Sequence, residues 1–403
     1  MRIGINGRFL VAKRTGVQRA AFNLIKTLVK VDVNNEYYLF TGEKEQDKPE
    51  WAQDNVKVIP SRLREGEALR NHFWEQVTLP FLAKKFRVDI LHSPANLAPL
   101  FYRGASIVHI HDLCFVVNPQ WYSYSFHTAY NFLIPRLAKR ASRIITNSNN
   151  SRNDLLQFCK LEPNKLALIY WAVDSIFSAP SLSPSSINLP PNDYILYVGS
   201  LEPRKNIGIL IDAYEKLRIA CPKLETNLVI IGADNPLFAN LRLRDSLFKK
   251  DILFKGFVSD KDLREYYKNA SVVAYPSLYE GFGLPPLEAM AAGVPVVTSN
   301  NSSLPEVVGD AAIMVNPYCS DELSNAIHRV ISDKNLQTEL RSKGRKRAKM
   351  FNWHRVAREV LGVYHEVYDE AYGGNQRRYL PLKQWKELVE KEREEEERMS
   401  IYH

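Results

Sequence analysis

Residues 275–299 read YPSLYEGFGLPPLEAMAAGVPVVTS. The apolar run Ala270 to Tyr275 enters this stretch as a strand. Glu280, Gly281, Phe282 and Gly283 form a tight loop. Pro285 and Pro286 suit the first turn of a helix, where a missing N–H costs little. Gly293 suits that helix's C-terminal cap, and Val294 to Val297 resumes a buried strand. Two acids punctuate the stretch, with seven residues between them. Glu280 precedes the glycines, and Glu288 is expected in the first turn of the helix. A helix N-terminus favours phosphate through unpaired N–H groups and partial positive charge. Gly281 and Gly283 let backbone approach a ligand closely. Carboxylates beside such a site accept hydrogen bonds from hydroxyls, and a nucleotide-sugar offers both phosphate and hydroxyls.

Here the chain resembles retaining glycosyltransferases of the family 4 type, which have the GT-B fold. The match runs through Glu280, Gly281, Phe282, Gly283, Leu284, Pro285 and Glu288. The resemblance implies that Glu288 holds the donor ribose, that Glu280 faces the hydroxyls of the transferred sugar, and that the backbone of Phe282 to Leu284 lies against that sugar.

Bulk properties set the frame. At 403 residues the natural expectation is two domains. An apolar content of 45% with 25% charged residues describes an ordinary globular protein. Cys114, Cys159, Cys221 and Cys319 are scattered and form no CxxC, which points to a reducing compartment and a cytoplasmic location. Met1 runs directly into a strand, so no signal peptide is expected. No apolar run reaches the roughly 20 residues of a membrane span. The net charge of +9 fits a phosphate-bearing ligand, an anionic membrane surface or nucleic acid, and does not choose among them.

In chain order, Arg2 to Asn6 is a strand. A loop from Gly7 to Gly16 carries Arg8, Lys13, Arg14 and Thr15, and a helix follows from Val17. Strand, basic loop and helix cradle phosphate. By the resemblance this loop faces the donor diphosphate and the acceptor, with Gly16 the candidate donor contact. Arg70 to Arg87, containing Trp74, Phe81, Phe86, Lys84 and Lys85, reads as an amphipathic helix. It suits either a core-packed helix with a basic outer face or a membrane interface; the resemblance places it, Trp74 included, on the acceptor side. Ser106 to His111 reads as a strand with His109 and His111 on one face. A His-x-His metal pair lacks an evident third ligand. Ligands gather at the carboxyl ends of such strands. The Ile110-His111-Asp112-Leu113 string extends the resemblance, which turns His111 towards the transferred sugar and puts Asp112 on the acceptor side.

Residues 179–192, APSLSPSSINLPPN, read as a linker. The strand–helix alternation then restarts, predicting a second parallel sheet with helices on both faces. Its first turn carries Arg204 and Lys205, a planar fork and a point charge for phosphate. The resemblance has them bind the donor diphosphate and stabilise it as it leaves. Gly232-Ala233-Asp234 follows a strand and borders the nucleotide in this reading. The resemblance puts the backbone of Gly256, Phe257 and Val258 against the base. Asp260-Lys261-Asp262 spells DxD, but Ser259 with Asp262 is close to a capping box, so no metal site is assigned. The basic run Arg341 to Lys349 reads as a solvated helix face.

The expectation is therefore an α/β protein of the GT-B fold, two Rossmann-like domains with parallel sheets facing across a cleft. Residues 1–178 form the acceptor domain, 179–192 the linker and 193–352 the nucleotide-sugar domain. Residues 353–372 form a helix crossing back, and 373–403 a charged tail outside the resemblance. His111, Arg204, Lys205 and Glu280 are the candidate catalytic residues. The expected reaction moves a hexose, with retention and no metal or other cofactor, to a saccharide or lipid-linked saccharide. Arg204 and Lys205 carry the electrostatic load. The Ile110 to Leu113 string, with Trp74-Glu75-Gln76, resembles bacterial mannosyltransferases of polysaccharide assembly and makes GDP-mannose the first donor. A UDP-hexose donor, a UDP-sugar epimerase and a silent sugar-nucleotide binder remain alternatives. Peripheral contact with the inner face of a membrane is compatible with the charge; a nucleic-acid partner would leave the Glu pair unexplained.

Overall fold

The computed structural model describes residues 1–11, 16–42, 49–61, 63–64, 66–179, 189–190, 193–232 and 247–373. Lys13, Arg14 and Thr15, Ala233 and Asp234, most of the expected linker and the tail beyond Gly373 lie outside these residues. The chain forms two units. One is Met1–Ala172 together with the segment from Asn352 onward; the other is Val173–Phe351.

The first unit is built on seven strands: β1 (Arg2–Asn6), β2 (Glu36–Gly42), β3 (Val56–Ser61), β4 (Ile90–Ser93), β5 (Ala105–His109), β6 (Arg143–Thr146) and β7 (Leu166–Leu168). All pairs are parallel, in the order β3-β2-β1-β4-β5-β6-β7. Central strands in such a sheet bury both faces, and β1 accordingly buries everything after Arg2. The winding reverses between β1 and β4, where Ile3 pairs with both Tyr37 and Ile90. The helix Gly16–Val31 buries Ala20, Ala21, Leu24, Ile25 and Leu28, a one-sided stripe of helical period. The final helix, Trp353–Tyr372, belongs to this unit, where Tyr372 donates to the Asp89 carbonyl and Arg143 pairs with Glu370.

Two expectations change here. The strand predicted to reach His111 ends at His109, so His111 stands on the loop beyond it. The helix predicted over Arg70 to Arg87 is three pieces: Ala68–Phe73, a π turn at Trp74–Thr78, and Leu79–Lys85. A π turn carries one extra residue, and it turns the adjacent Trp74 and Glu75 both inward.

The second unit has six strands: β8 (Asp193–Val198), β9 (Thr226–Ile231), β10 (Ile252–Gly256), β11 (Val272–Tyr275), β12 (Val296–Ser299) and β13 (Ile313–Val315). They pair in parallel in the order β10-β9-β8-β11-β12-β13, so this sheet reverses between β8 and β11. Its core includes Tyr197, Tyr214, Leu228, Tyr275 and Ile327. Ser259 caps the helix Asp260–Asn269: its Oγ accepts from the Asp262 N–H at 3.2 Å and donates to the Asp262 carboxylate at 2.7 Å. The basic run belongs to the helix Lys334–Lys349 and is not wholly a solvated face. Arg347 reaches the carbonyls of Val307 (2.9 Å) and Glu306 (2.5 Å). Those carbonyls lie in the last turn of the short helix Leu304–Val308, where intrahelical donors run out.

Candidate active site

In the second unit the segments following β8 and β11 meet where the sheet reverses, the usual ligand position in a doubly wound sheet. After β8, Pro203–Lys205 make a single 3₁₀ turn, and Asn206 adopts a left-handed conformation. The Asn206 amide donates to the carbonyls of Pro276 and Pro317, and Leu278 N–H donates to the Arg204 carbonyl. The two segments are thus laced together by one backbone bond and by the side-chain amide of Asn206, which also ties them to Pro317 beyond β13.

The side chains then converge on Glu280. Lys205 Nζ lies 2.6 Å from Glu280 Oε1, and Arg204 Nη1 lies 3.0 Å from Oε2. The Tyr275 hydroxyl accepts from Lys205 Nζ at 2.6 Å and donates to Glu280 Oε1 at 2.9 Å. Glu202, half exposed, takes the Arg204 Nε at 2.7 Å. Burial pushes the Glu280 carboxyl up, but the Lys205 ammonium and the Arg204 guanidinium outweigh it and hold the group at about 2. Burial and the neighbouring Arg204 charge lower the Lys205 pKa; its contact with Glu280 works against them.

The loop bearing Glu280 is held from below by two serines. Ser302 Oγ accepts from the Glu280 N–H, while Ser303 Oγ donates towards the carbonyls of Glu280 (2.9 Å) and Phe282 (2.6 Å). Gly283 ends the loop at φ +123°, a conformation closed to most side chains, and a Cβ there would meet Leu304 Cδ2 at 2.9 Å. The helix Leu284–Ala292 follows, and Gly293 caps it at φ +77°. Glu288 is its fifth residue, so it stands in the second turn and not the first as expected. It is buried and accepts from the Tyr267 hydroxyl at 3.0 Å. Gly281 and Phe282 are buried in the loop, and Leu284 opens the helix. Gly256 closes β10 at φ +61°, with the Phe257 ring exposed beside it and Val258 half-buried. The structure thus gathers Arg204, Lys205 and Glu280, and puts Glu288 eight residues on with a partner of its own.

The remaining candidates belong to the first unit. His111 is buried, donates from Nε2 to the Pro94 carbonyl at 3.1 Å, and lies 4.6 Å from the Trp171 ring. Burial holds its pKa down to about 3, against the opposing pull of the Pro94 carbonyl, so the ring is neutral at ordinary pH. Its N–H is fixed by Asn96 and its carbonyl accepts from Ser151. The His109 and His111 rings lie 5.8 Å apart, and His92 stacks on His109 at 4.9 Å. No cluster fit to hold a metal occurs among the described residues. Asp112 accepts from the Cys114 N–H and shapes that loop. Trp74 is in the apolar core with Tyr38, Phe40 and Leu79. Gly16 opens its helix and is exposed.

Sequence reasoning gave no site role to Tyr275, Ser302 or Ser303, and quoted Glu75 only within the Trp74-Glu75-Gln76 string. Tyr275 carried a usable signal, a hydroxyl ending an otherwise apolar buried strand. The serines gave none, since a serine in a loop is ordinary.

Two doubly wound parallel sheets of this topology, one bringing cations from one strand end to a carboxylate from its neighbour at the reversal point, have the architecture of the GT-B class. Residues 184–347 match the family of glycosyl transferases group 1, and residues 14–176 match glycosyltransferase family 4. The chain belongs to this family. It is 30% identical to the O-antigen chain mannosyltransferase B of Escherichia coli over 374 residues, covering 87% of this chain and 96% of that one. It is 30% identical over 259 residues to the serotype-specific mannosyltransferase WbdA of Escherichia coli, covering 61% of this chain and 32% of that longer one. The fold is shared with a sucrose-phosphate synthase from Thermosynechococcus elongatus at TM-score 0.73 and 20% identity, over 92% of this chain and 100% of the other.

Proposed function

We propose that this glycosyltransferase moves mannose from GDP-mannose, with retention, to a hydroxyl of a saccharide or lipid-linked saccharide in cell-surface polysaccharide assembly. The observation that carries the reading is the convergence of Lys205 and Arg204 on Glu280 where β8 and β11 part. A diphosphate arriving there competes for both cations. Once they transfer to its oxygens, Glu280 is released to accept from sugar hydroxyls. As the bond from the sugar to the diphosphate breaks, negative charge grows on the leaving oxygen, and two preplaced cations stabilise it where it forms. They supply the neutralisation a divalent ion would otherwise give, which supports a metal-independent reaction. A double displacement would need a carboxylate on the far face of the sugar; we favour departure and attack on one face, the leaving diphosphate taking the acceptor's proton. The Escherichia coli relatives named as mannosyltransferases support mannose as the sugar.

A lipid-linked acceptor fits a second observation. Leu69, Phe73, Val77 and Phe81 are all exposed at four-residue spacing, and Lys84 and Lys85 follow them. A four-residue repeat drifts around a 3.6-residue helix. The wider π turn at Trp74–Thr78 rotates less per residue and offsets the drift. An apolar stripe ending in lysines suits the surface of an anionic bilayer, on the cytoplasmic side in this reading. No helix among the described residues is long and apolar enough to cross a membrane.

The test is nucleotide release from a panel of GDP- and UDP-sugars, with and without a cell-envelope lipid extract, using Glu280→Gln as control. Release of GDP that requires GDP-mannose and Glu280 is the expected result. Release confined to UDP-sugars would overturn the donor; turnover without release of nucleotide would overturn transfer.

A further inference from the structure

The first unit's sheet also reverses, between β1 and β4, and its carboxyl edge there holds a second charged cluster. Asn6 ends β1 and Ser93 ends β4, and the Asn6 amide donates to Ser93 Oγ at 3.2 Å, bridging the two strand ends. The same amide donates to Glu75 Oε1 at 2.7 Å. Arg8, two residues beyond β1, donates from Nη1 to Glu75 Oε2 at 2.8 Å. The same Nη1 also reaches His72 Nδ1 at 3.2 Å. Since arginine only donates, Nδ1 accepts, so the imidazole faces Arg8 as a neutral ring.

Packing does not account for this cluster. The Glu75 side chain is 1% exposed and that of Arg8 23%. A buried ion pair is seldom worth more to a fold than apolar side chains of the same volume. Glu75 lies within the π turn, and such turns recur at functional sites. Nor is Arg8 used up. Its Nη1 makes both contacts, and among the described residues Nε and Nη2 make none. A guanidinium clamped by one nitrogen, with no contact among the described residues along its other edge, is a preset fork for oxygen ligands.

Charge selects the ligand. In the second unit two cations face one buried carboxylate; the other acid, Glu202, is half exposed and screened by solvent, which leaves attraction for a diphosphate. Here one cation faces one carboxylate, and His72 is neutral. A phosphate would find its cation already neutralised and a second anion beside it. Sugar hydroxyls lose nothing by that balance, because they accept from the Arg8 fork and donate to carboxylate or imidazole lone pairs.

We propose that Arg8, Glu75, His72 and Asn6 form the subsite for an uncharged saccharide terminus of the acceptor. This rests on the glycosyltransferase reading above and adds the acceptor's chemical class. The test is calorimetric titration of the full chain with α-linked mannobiose, with the same disaccharide phosphorylated at O6, and with GDP. Wild type should bind the neutral disaccharide in preference to the phosphorylated one. Arg8→Lys keeps the charge and loses the fork; it should weaken mannobiose by at least about tenfold and GDP by less than about twofold. Glu75→Gln keeps the shape and frees the Arg8 charge, and should shift preference towards the phosphorylated sugar. Should Glu75→Gln fail to fold, Arg8→Lys decides alone. Unchanged mannobiose affinity in Arg8→Lys, an equal loss for GDP, or no binding of mannobiose by wild type overturns the proposal. Failure of wild type to bind any nucleotide would instead overturn the donor reading, and the disaccharide titration registers separately from it.

Discussion

At the scale of the residue, Lys205 is the position where structure and chemistry meet most directly. It is buried, and its ammonium is shared between Glu280 and the Tyr275 hydroxyl. Such a group contributes more to a transition state that gains negative charge than to a ground state that already has its partners. Lys205→Ala should therefore lower kcat by roughly 10²- to 10³-fold and change the donor KM by less than about fivefold. Steady-state kinetics on the donor decide it; equal losses in both would make Lys205 a simple binding residue. Arg204, Lys205 and Glu280 were legible in the sequence because each falls in a long motif with fixed spacing. Glu75 was not, because the π turn that brings it to Arg8 leaves no mark in the hydrophobic period.

At the scale of the element, Ala68–Lys85 shows what one extra residue does. The π turn buries Trp74 and Glu75 side by side and keeps the outward stripe in line. The sequence read this segment as one amphipathic helix and left open whether its aromatic residues faced core or membrane. Trp74 faces the core, while Phe73 and Phe81 are exposed. If the stripe meets lipid, Phe73→Ser with Phe81→Ser should cut cosedimentation with phosphatidylglycerol vesicles several-fold and leave neutral vesicles unaffected. Binding equal to wild type on the anionic vesicles would dismiss the membrane face. Strand ends show the limit of reading in another way. β5 stops at His109 although the apolar alternation runs on to His111, because pairing with β6 ends there.

At the scale of the whole molecule, the two units should respond to acid in separate windows. His92 and His111 are held by burial at about 3 and His109 well below its usual value. These rings stay neutral in the folded unit, while the unfolded chain takes up protons near the ordinary 6.5. Their contribution is complete above about 6.5 and falls as the pH drops below it, by about 1.4 kcal/mol per pH unit for each ring. Glu280 in the second unit is depressed from 4.5 to about 2, so its contribution is complete above 4.5 and is lost only as the pH falls towards 2. None of the six tryptophans falls within 173–351. Tryptophan fluorescence should thus report an acid transition beginning near pH 6, ahead of a second transition in far-ultraviolet circular dichroism. A single coincident transition below about pH 4.5 would contradict this assignment.

The fold class and most strand positions were legible because parallel strands buried on both faces announce themselves as apolar runs. The histidine column was not, since stacking of His92 on His109 depends on β4 lying beside β5. Its last member comes from farther still. The Tyr364 hydroxyl meets His92 Nδ1 at 2.5 Å, and Tyr364 lies on the final helix. A chain made from its N-terminus therefore delivers every residue of 173–351 before the helix that completes the first unit. On the ribosome the middle of the protein is free to mature while the beginning waits, its innermost imidazole lacking a partner until residue 364 emerges.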